Sequence, residues 1–116
     1  MQHRILVPID FTPVSDTAIE HSFIVGKAFK SMVNLVHVIG HKKHISEARL
    51  RMNALIKKLS PDYPYELSCT IRIGNIFEDI DDVAVEQQSD LIIMGTHGLR
   101  GMQFLTGGRA LKIVAN

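Results

Sequence analysis

An α/β fold is predicted, an open, doubly wound parallel sheet with helices on both faces, and three observations predict it. Four short apolar runs alternate with segments of helical periodicity along 116 residues. Three of those runs are nearly continuous in apolar residues, as strands buried on both faces are. A regular β-α-β-α series implies right-handed crossovers, hence parallel strands.

The elements follow in order. The first strand is read at Ile5-Leu6-Val7-Pro8-Ile9. Thr12-Pro13 then starts a helix, a hydroxyl cap with proline at the first helical position, and Ala18, Ile19, Phe23 and Ala28 recur at helical spacing. The second strand runs from Met32 to Ile39. Ile45, Ala48, Met52, Leu55, Ile56 and Leu59 mark a second helix that stops at Ser60-Pro61. From Tyr65 to Ile73 apolar and polar residues alternate, which predicts an edge strand. Ile76, Ile80, Val83 and Ala84 signal a third helix, and Leu91 to Met94 the fourth strand. A fourth helix is expected from Gly107-Gly108 through Asn116, with no fifth strand after it. The expectation is therefore a single domain over 1–116, truncated at its C-terminus, with Leu91–Met94 exposed as an edge that invites self-association.

Composition removes several classes. With 46% hydrophobic and 22% charged residues the chain is ordinary globular material, neither disordered nor coiled-coil. No apolar run nears the roughly 20 residues of a membrane span, and the run after Arg4 is too short for a secretory leader. A single cysteine, Cys69, can form no internal disulfide, so a reducing cytoplasm is the expected compartment. A net charge of +1 predicts neither nucleic acid nor membrane as a partner. Charge is nevertheless uneven: residues 41–58 carry Lys42, Lys43, Arg49, Arg51, Lys57 and Lys58 against Glu47, while residues 75–90 carry six acids and no Lys or Arg. Two solvated helix faces account for this; a partner-docking surface is the alternative.

The residues that suggest chemistry cluster after the fourth strand. Every glycine beyond position 74 lies there: Gly95, Gly98, Gly101, Gly107 and Gly108. Glycine lets backbone approach a ligand, so the cluster reads as a phosphate cradle at a helix N-terminus, or else as a flexible loop. It is not a Walker A loop, because the one Gly-Lys is Gly26-Lys27, followed by Ala28. Nor does the first strand-to-helix turn, Asp10-Phe11-Thr12-Pro13, hold the glycines of a dinucleotide fingerprint.

Val7-Pro8-Ile9-Asp10, His37-Val38 and Met94-Gly95-Thr96-His97-Gly98 with its following glycine loop resemble the universal stress protein family across essentially the whole chain. The resemblance implies strand order 3-2-1-4-5 and a ligand crevice between strands one and four. It implies adenine recognition by Asp10 and the backbone at Pro8 and Ile9, with Val38 and Met94 flanking base or ribose. Gly95, Gly98, Gly107 and Gly108 would face ribose and phosphates, and His97 is a further phosphate candidate. The ligand implied is ATP or another adenine nucleotide, with or without Mg. Asp10 also has an ordinary reading as a cap or turn residue.

Two departures matter. With nine residues intervening after Gly98 the family places Gly-Ser/Thr; here that register gives Gly108-Arg109, and a register one shorter gives Gly107-Gly108. The shorter one keeps Ala110 to Val114 in helical phase and is preferred. Neither supplies the hydroxyl, leaving Thr106 or Arg109 to stand in. The second departure is the missing fifth strand, which in the family commonly forms the dimer contact; a homodimer or a tandem-domain partner is expected.

Other candidates are weaker. His37, His41 and His44 are close in sequence but divided between a strand end and the next helix, so no metal site is assigned. Cys69 shares a strand face with Leu67 and Ile71 and reads as an inert core thiol. A nucleotide-binding stress-response module is the first functional reading, a nucleotide-independent dimerisation or interaction module the second, and a weak ATPase the third. No set of base, nucleophile and orienting residue is apparent, and no catalytic residue is assigned.

Overall fold

Strand β1 (Arg4–Pro8) lies at the centre of a parallel five-stranded sheet. The computed structural model describes residues 3–95 and 111–115, the last five through their backbone. From β1 the chain enters helix α1 (Pro13–Phe29), returns as β2 (Met32–Ile39), and passes through α2 (Ile45–Leu59) to β3 (Leu67–Ile73). It continues through α3 (Ile76–Glu86) into β4 (Leu91–Gly95). Backbone 111–115 is a fifth strand, β5 (Leu111–Ala115), and the order is 3-2-1-4-5.

Handedness explains which helix covers which face. The first two crossovers step from β1 to β2 to β3 in one direction, so right-handed connections place α1 and α2 on the same face. The next steps back past β1 to β4, so α3 must cover the other. Packing agrees: Ile5, Val7, Val33 and Leu35 cluster with Ala18, Ile19 and Phe23 of α1 and Met52 of α2. Leu6, Val36, Ile92 and Met94, one residue out of phase, cluster with Ile80, Val83 and Ala84 of α3. Burial of each such side chain stabilises the fold by roughly 1.5–3 kcal/mol before entropy is counted.

The larger cluster is closed at its far end by Tyr63. Its ring stacks on Phe23 with centroids 4.6 Å apart, and its hydroxyl donates to the Ser31 carbonyl. A Cβ on Gly26 would collide with that ring, which is why α1 carries glycine where helix propensity disfavours it. Burial, with Tyr65 nearby, pushes the Tyr63 phenol up to about 12.

Three expectations change. The expected helix 107–116 does not extend through 111–115: those residues pair in parallel with β4 from Leu91↔Leu111 to Gly95↔Ala115. Ile113 and Val114 are β-branched, and the unpaired amides and carbonyls on the outer side of β4 gain partners only from a strand. The fifth strand expected to be absent is therefore present, and Leu91–Met94 is not an exposed edge. Thr12 does stand at the N-cap of α1, but its hydroxyl makes no cap bond to the helix; it turns back to Asp10 instead. Strand β3 does form an edge, with Leu67, Cys69 and Ile71 half-buried under α2.

Candidate functional site

Both β1 and β4 end at the point where strand order reverses, β2 lying on one side of β1 and β4 on the other. β1 continues into α1, and in open α/β sheets ligands bind in the crevice beyond the carboxyl ends of the strands at such a reversal. The first residue past β1 to reach solvent is Asp10; Ile5 through Ile9 are all buried.

Asp10 organises the turn that carries β1 into α1. Its Oδ1 accepts from the Thr12 amide at 3.1 Å, the Thr12 hydroxyl at 2.5 Å and the Ser15 hydroxyl at 2.5 Å. The same Ser15 oxygen accepts from the Asp10 amide at 2.8 Å, and Ser15 is buried in the first turn of α1. An Asx turn of this kind fixes both the carboxylate and the amides behind it. Between the two residues so joined, Phe11 is forced to φ 63, the left-handed region.

The neighbouring strand β2 holds this turn from behind. The Ile9 amide donates to the Val36 carbonyl at 2.8 Å, and the Ile9 carbonyl lies 2.9 Å from His37 Nδ1. A carbonyl only accepts, so Nδ1 carries the hydrogen. The His37 ring meets Phe11 edge to face at 4.8 Å, and the Arg51 guanidinium of α2 lies over the other ring at 4.0 Å. Beyond them, a cleft of about 230 Å³ is lined by His37, Ile39, Gly40, His44, Glu47 and Arg51.

Of the residues singled out from the sequence, Met94 and Val38 lie with the α3 cluster, Met94 buried and Val38 half-buried. Pro8, two residues after Leu6, falls on the same sheet face by strand alternation. Ile9 belongs to the opposite, α1–α2 face and offers only backbone to the turn. Gly95 has a packing role: a Cβ there would come within 2.8 Å of the Val14 carbonyl carbon and nearer still to its oxygen, so α1 can lie against the end of β4 only over a glycine. His97, Gly98, Thr106, Gly107, Gly108 and Arg109 lie outside the described residues. Among the described residues no three His, Cys, Asp or Glu side chains gather to hold a metal. Burial pushes the Cys69 thiol up, away from the thiolate that nucleophilic chemistry needs. Phe11, Ser15 and Arg51 were not among the sequence candidates. Ser15, five residues after Asp10, was the one with a readable signal, a small hydroxyl facing back from the first helical turn.

The sequence profile of the universal stress protein family matches residues 1–116. Universal stress protein A homolog 1 of Coxiella burnetii is 28% identical over 96% of this chain and 88% of its own length. Universal stress protein MJ0577 of Methanocaldococcus jannaschii is 27% identical over 98% of this chain and 88% of its own. A solved structure of MJ0577 superposes with a TM-score of 0.75, covering 100% of this chain and 98% of that one at 26% identity. Two structures with lower identity share the fold: a universal stress protein from Archaeoglobus fulgidus in complex with dAMP (TM-score 0.81, 16% identity, 97% and 96% of the two chains) and one in complex with cAMP (0.82, 11%, 98% and 96%).

Proposed function

From the premise that the chain belongs to the universal stress protein family, we propose that it binds an adenine nucleotide beyond the carboxyl ends of β1 and β4 and acts as a regulatory module in the stress response. One observation carries the reading: a solvent-reaching carboxylate, Asp10, stands at the reversal of strand order with its Oδ1 held by three donors. An oriented carboxylate accepts a hydrogen bond from the exocyclic amine of adenine without first losing its own freedom, which is how preorganisation raises affinity. Pro8, Val38 and Met94 offer apolar surface for a base on the adjoining face. Family members of the same fold in complex with dAMP and cAMP support the ligand class. ATP as the particular nucleotide, with or without Mg, rests on the glycine loop and its candidate contacts His97, Gly98, Thr106, Gly107, Gly108 and Arg109. Cytoplasmic residence goes with this reading, as does a homodimer, for which β5, the edge strand of the sheet among the described residues, offers a pairing surface.

A second reading, a protein-docking module, draws on α2. Leu50 is 73% exposed in the middle of its outward face, with Arg49, Lys57 and Lys58 around it and Glu47 as the helix's only acid. Mass spectrometry of small molecules released by denaturing the purified protein separates the two. An adenine nucleotide released in near-stoichiometric amount supports the first reading; its absence, together with no binding of added AMP or ATP, favours the second.

A further inference from the structure

Phe11 is a bulky residue at φ 63, a conformation in which glycine would sit without penalty. Such backbone persists where the surroundings over-determine it, and it concentrates at functional sites. The surroundings here come from three elements. His37 on β2 meets the ring in a T-shaped contact at 4.8 Å, the Arg51 guanidinium on α2 lies over its face at 4.0 Å, and the ring packs against the apolar cluster beneath α1 and α2. His37 also holds the residue two before Phe11 through the Ile9 carbonyl at 2.9 Å. The chain between these anchors is Asp10 itself, whose Oδ1 accepts from the residue after Phe11.

Resting on the nucleotide reading above, we propose that Phe11, held by His37 and Arg51 together, is the positioning residue of the Asp10 turn and sets the affinity of the site by keeping that turn in its binding-competent form. Phe11 touches no ligand in this account; it acts through Asp10. A turn that spends only a fraction of its time in the competent form binds with its affinity reduced by that fraction. Arg51 makes the arrangement adjustable from outside. It is exposed on α2, so whatever engages its guanidinium draws it from the Phe11 ring and loosens the turn.

Four variants of the full chain test this: Phe11→Gly, Phe11→Tyr, Arg51→Ala and His37→Phe. Two measurements are made on each, amide hydrogen exchange at Thr12, whose N–H is bound to Asp10 Oδ1, relative to exchange at Val33 in the core, and calorimetric titration with AMP. Phe11→Gly removes the clamp while relieving the backbone, so a role limited to backbone conformation would leave it as good as wild type. The clamp instead predicts Thr12 exchange at least about tenfold faster and AMP binding about tenfold weaker, with smaller changes of the same sign in Arg51→Ala and His37→Phe. Phe11→Tyr keeps the ring and should retain wild-type values in both. Thr12 exchange in Phe11→Gly as slow as in wild type overturns the proposal, and so does loss of binding in Phe11→Tyr equal to that in Phe11→Gly. If wild type binds no AMP while Thr12 exchange still follows the predicted order, the clamp is supported and the nucleotide reading fails.

Discussion

Two turns at the same end of the sheet lead from a strand into a helix and close on an aspartate, and they are built in opposite ways. After β3, Asp79 in the first turns of α3 accepts from the Asn75 amide at 2.7 Å and faces Arg72 Nε at 3.5 Å. Arg72 in turn binds Glu86 at 2.6 Å, a hydrogen bond that pushes its guanidinium still further up. Glycine at position 74 leaves the space the Asp79 carboxylate fills. After β1, the aspartate precedes the helix, its Oδ1 is held by two hydroxyls and an amide, and the residue that follows it, Phe11, is left-handed. The first arrangement is a staple between β3 and α3 over backbone with no left-handed residue at Gly74 or Asn75. The second strains the backbone to hold a carboxylate outward. A carboxylate in a turn is therefore not by itself a site; the site is marked by strain that the rest of the fold sustains.

The sharpest way to break this comparison is to disturb the ground beneath the first turn. Gly95→Ala drives a methyl group into the Val14 backbone in the first turn of α1, where no rotamer change can yield. Overpacking of this kind should destabilise by about 3 kcal/mol, and urea denaturation with an unchanged m-value would show it. A denaturation midpoint equal to wild type would mean that α1 does not rest on β4 there.

The other pole of the sheet serves as a reference. Tyr63 has its phenol raised to about 12 in the folded state, above the ordinary value of 10.0. The neutral form is favoured by folding, so the stabilisation is whole below pH 10 and disappears as pH rises through 12. On the order of 2 kcal/mol should be lost across that window. In Tyr63→Phe the same loss should be largely absent, which chemical denaturation of both proteins at pH 9 and 11.5 would reveal.

A smaller effect is expected at the second turn itself. Asp79→Ala removes the acceptor for the Asn75 amide and one of the two acids ion-paired with Arg72, at about 1–1.5 kcal/mol. Its nucleotide affinity should match wild type, because the Asp79 carboxylate binds the Asn75 amide and Arg72 rather than Asp10. A tenfold loss of affinity would erase the distinction between the turns.

How much of this the sequence revealed depended on how local each signal was. Alternation in Tyr65–Ile73 placed β3 at an edge, and the apolar runs placed the other three strands, because burial on one face or two is written directly in residue order. The segment 111–115 went the other way: Ala110-Leu111-Lys112 is good helix-forming sequence, while the vacant side of β4 that makes a strand of it is a non-local fact. Asp10 was legible as a polar residue ending an apolar strand. Its support was not, since Phe11, His37 and Arg51 are separated by 26 and 14 residues and meet only through the fold. Gly95 was legible as a needed glycine, but its packing against Val14 was not, because a close helix and a close ligand leave the same mark in a sequence.

Asp10 and Asp79 together supply the most direct test of the central claim, that the β1 turn is where nucleotide binds. Calorimetric titration of AMP and ATP into wild type, Asp10→Ala and Asp79→Ala, each first shown folded by circular dichroism, compares the two turns under one ligand. Binding to wild type that is unchanged in Asp79→Ala and weakened about ten- to hundredfold in Asp10→Ala, the loss of one charged hydrogen bond, is the predicted result. Equal affinity in wild type and Asp10→Ala would contradict the account.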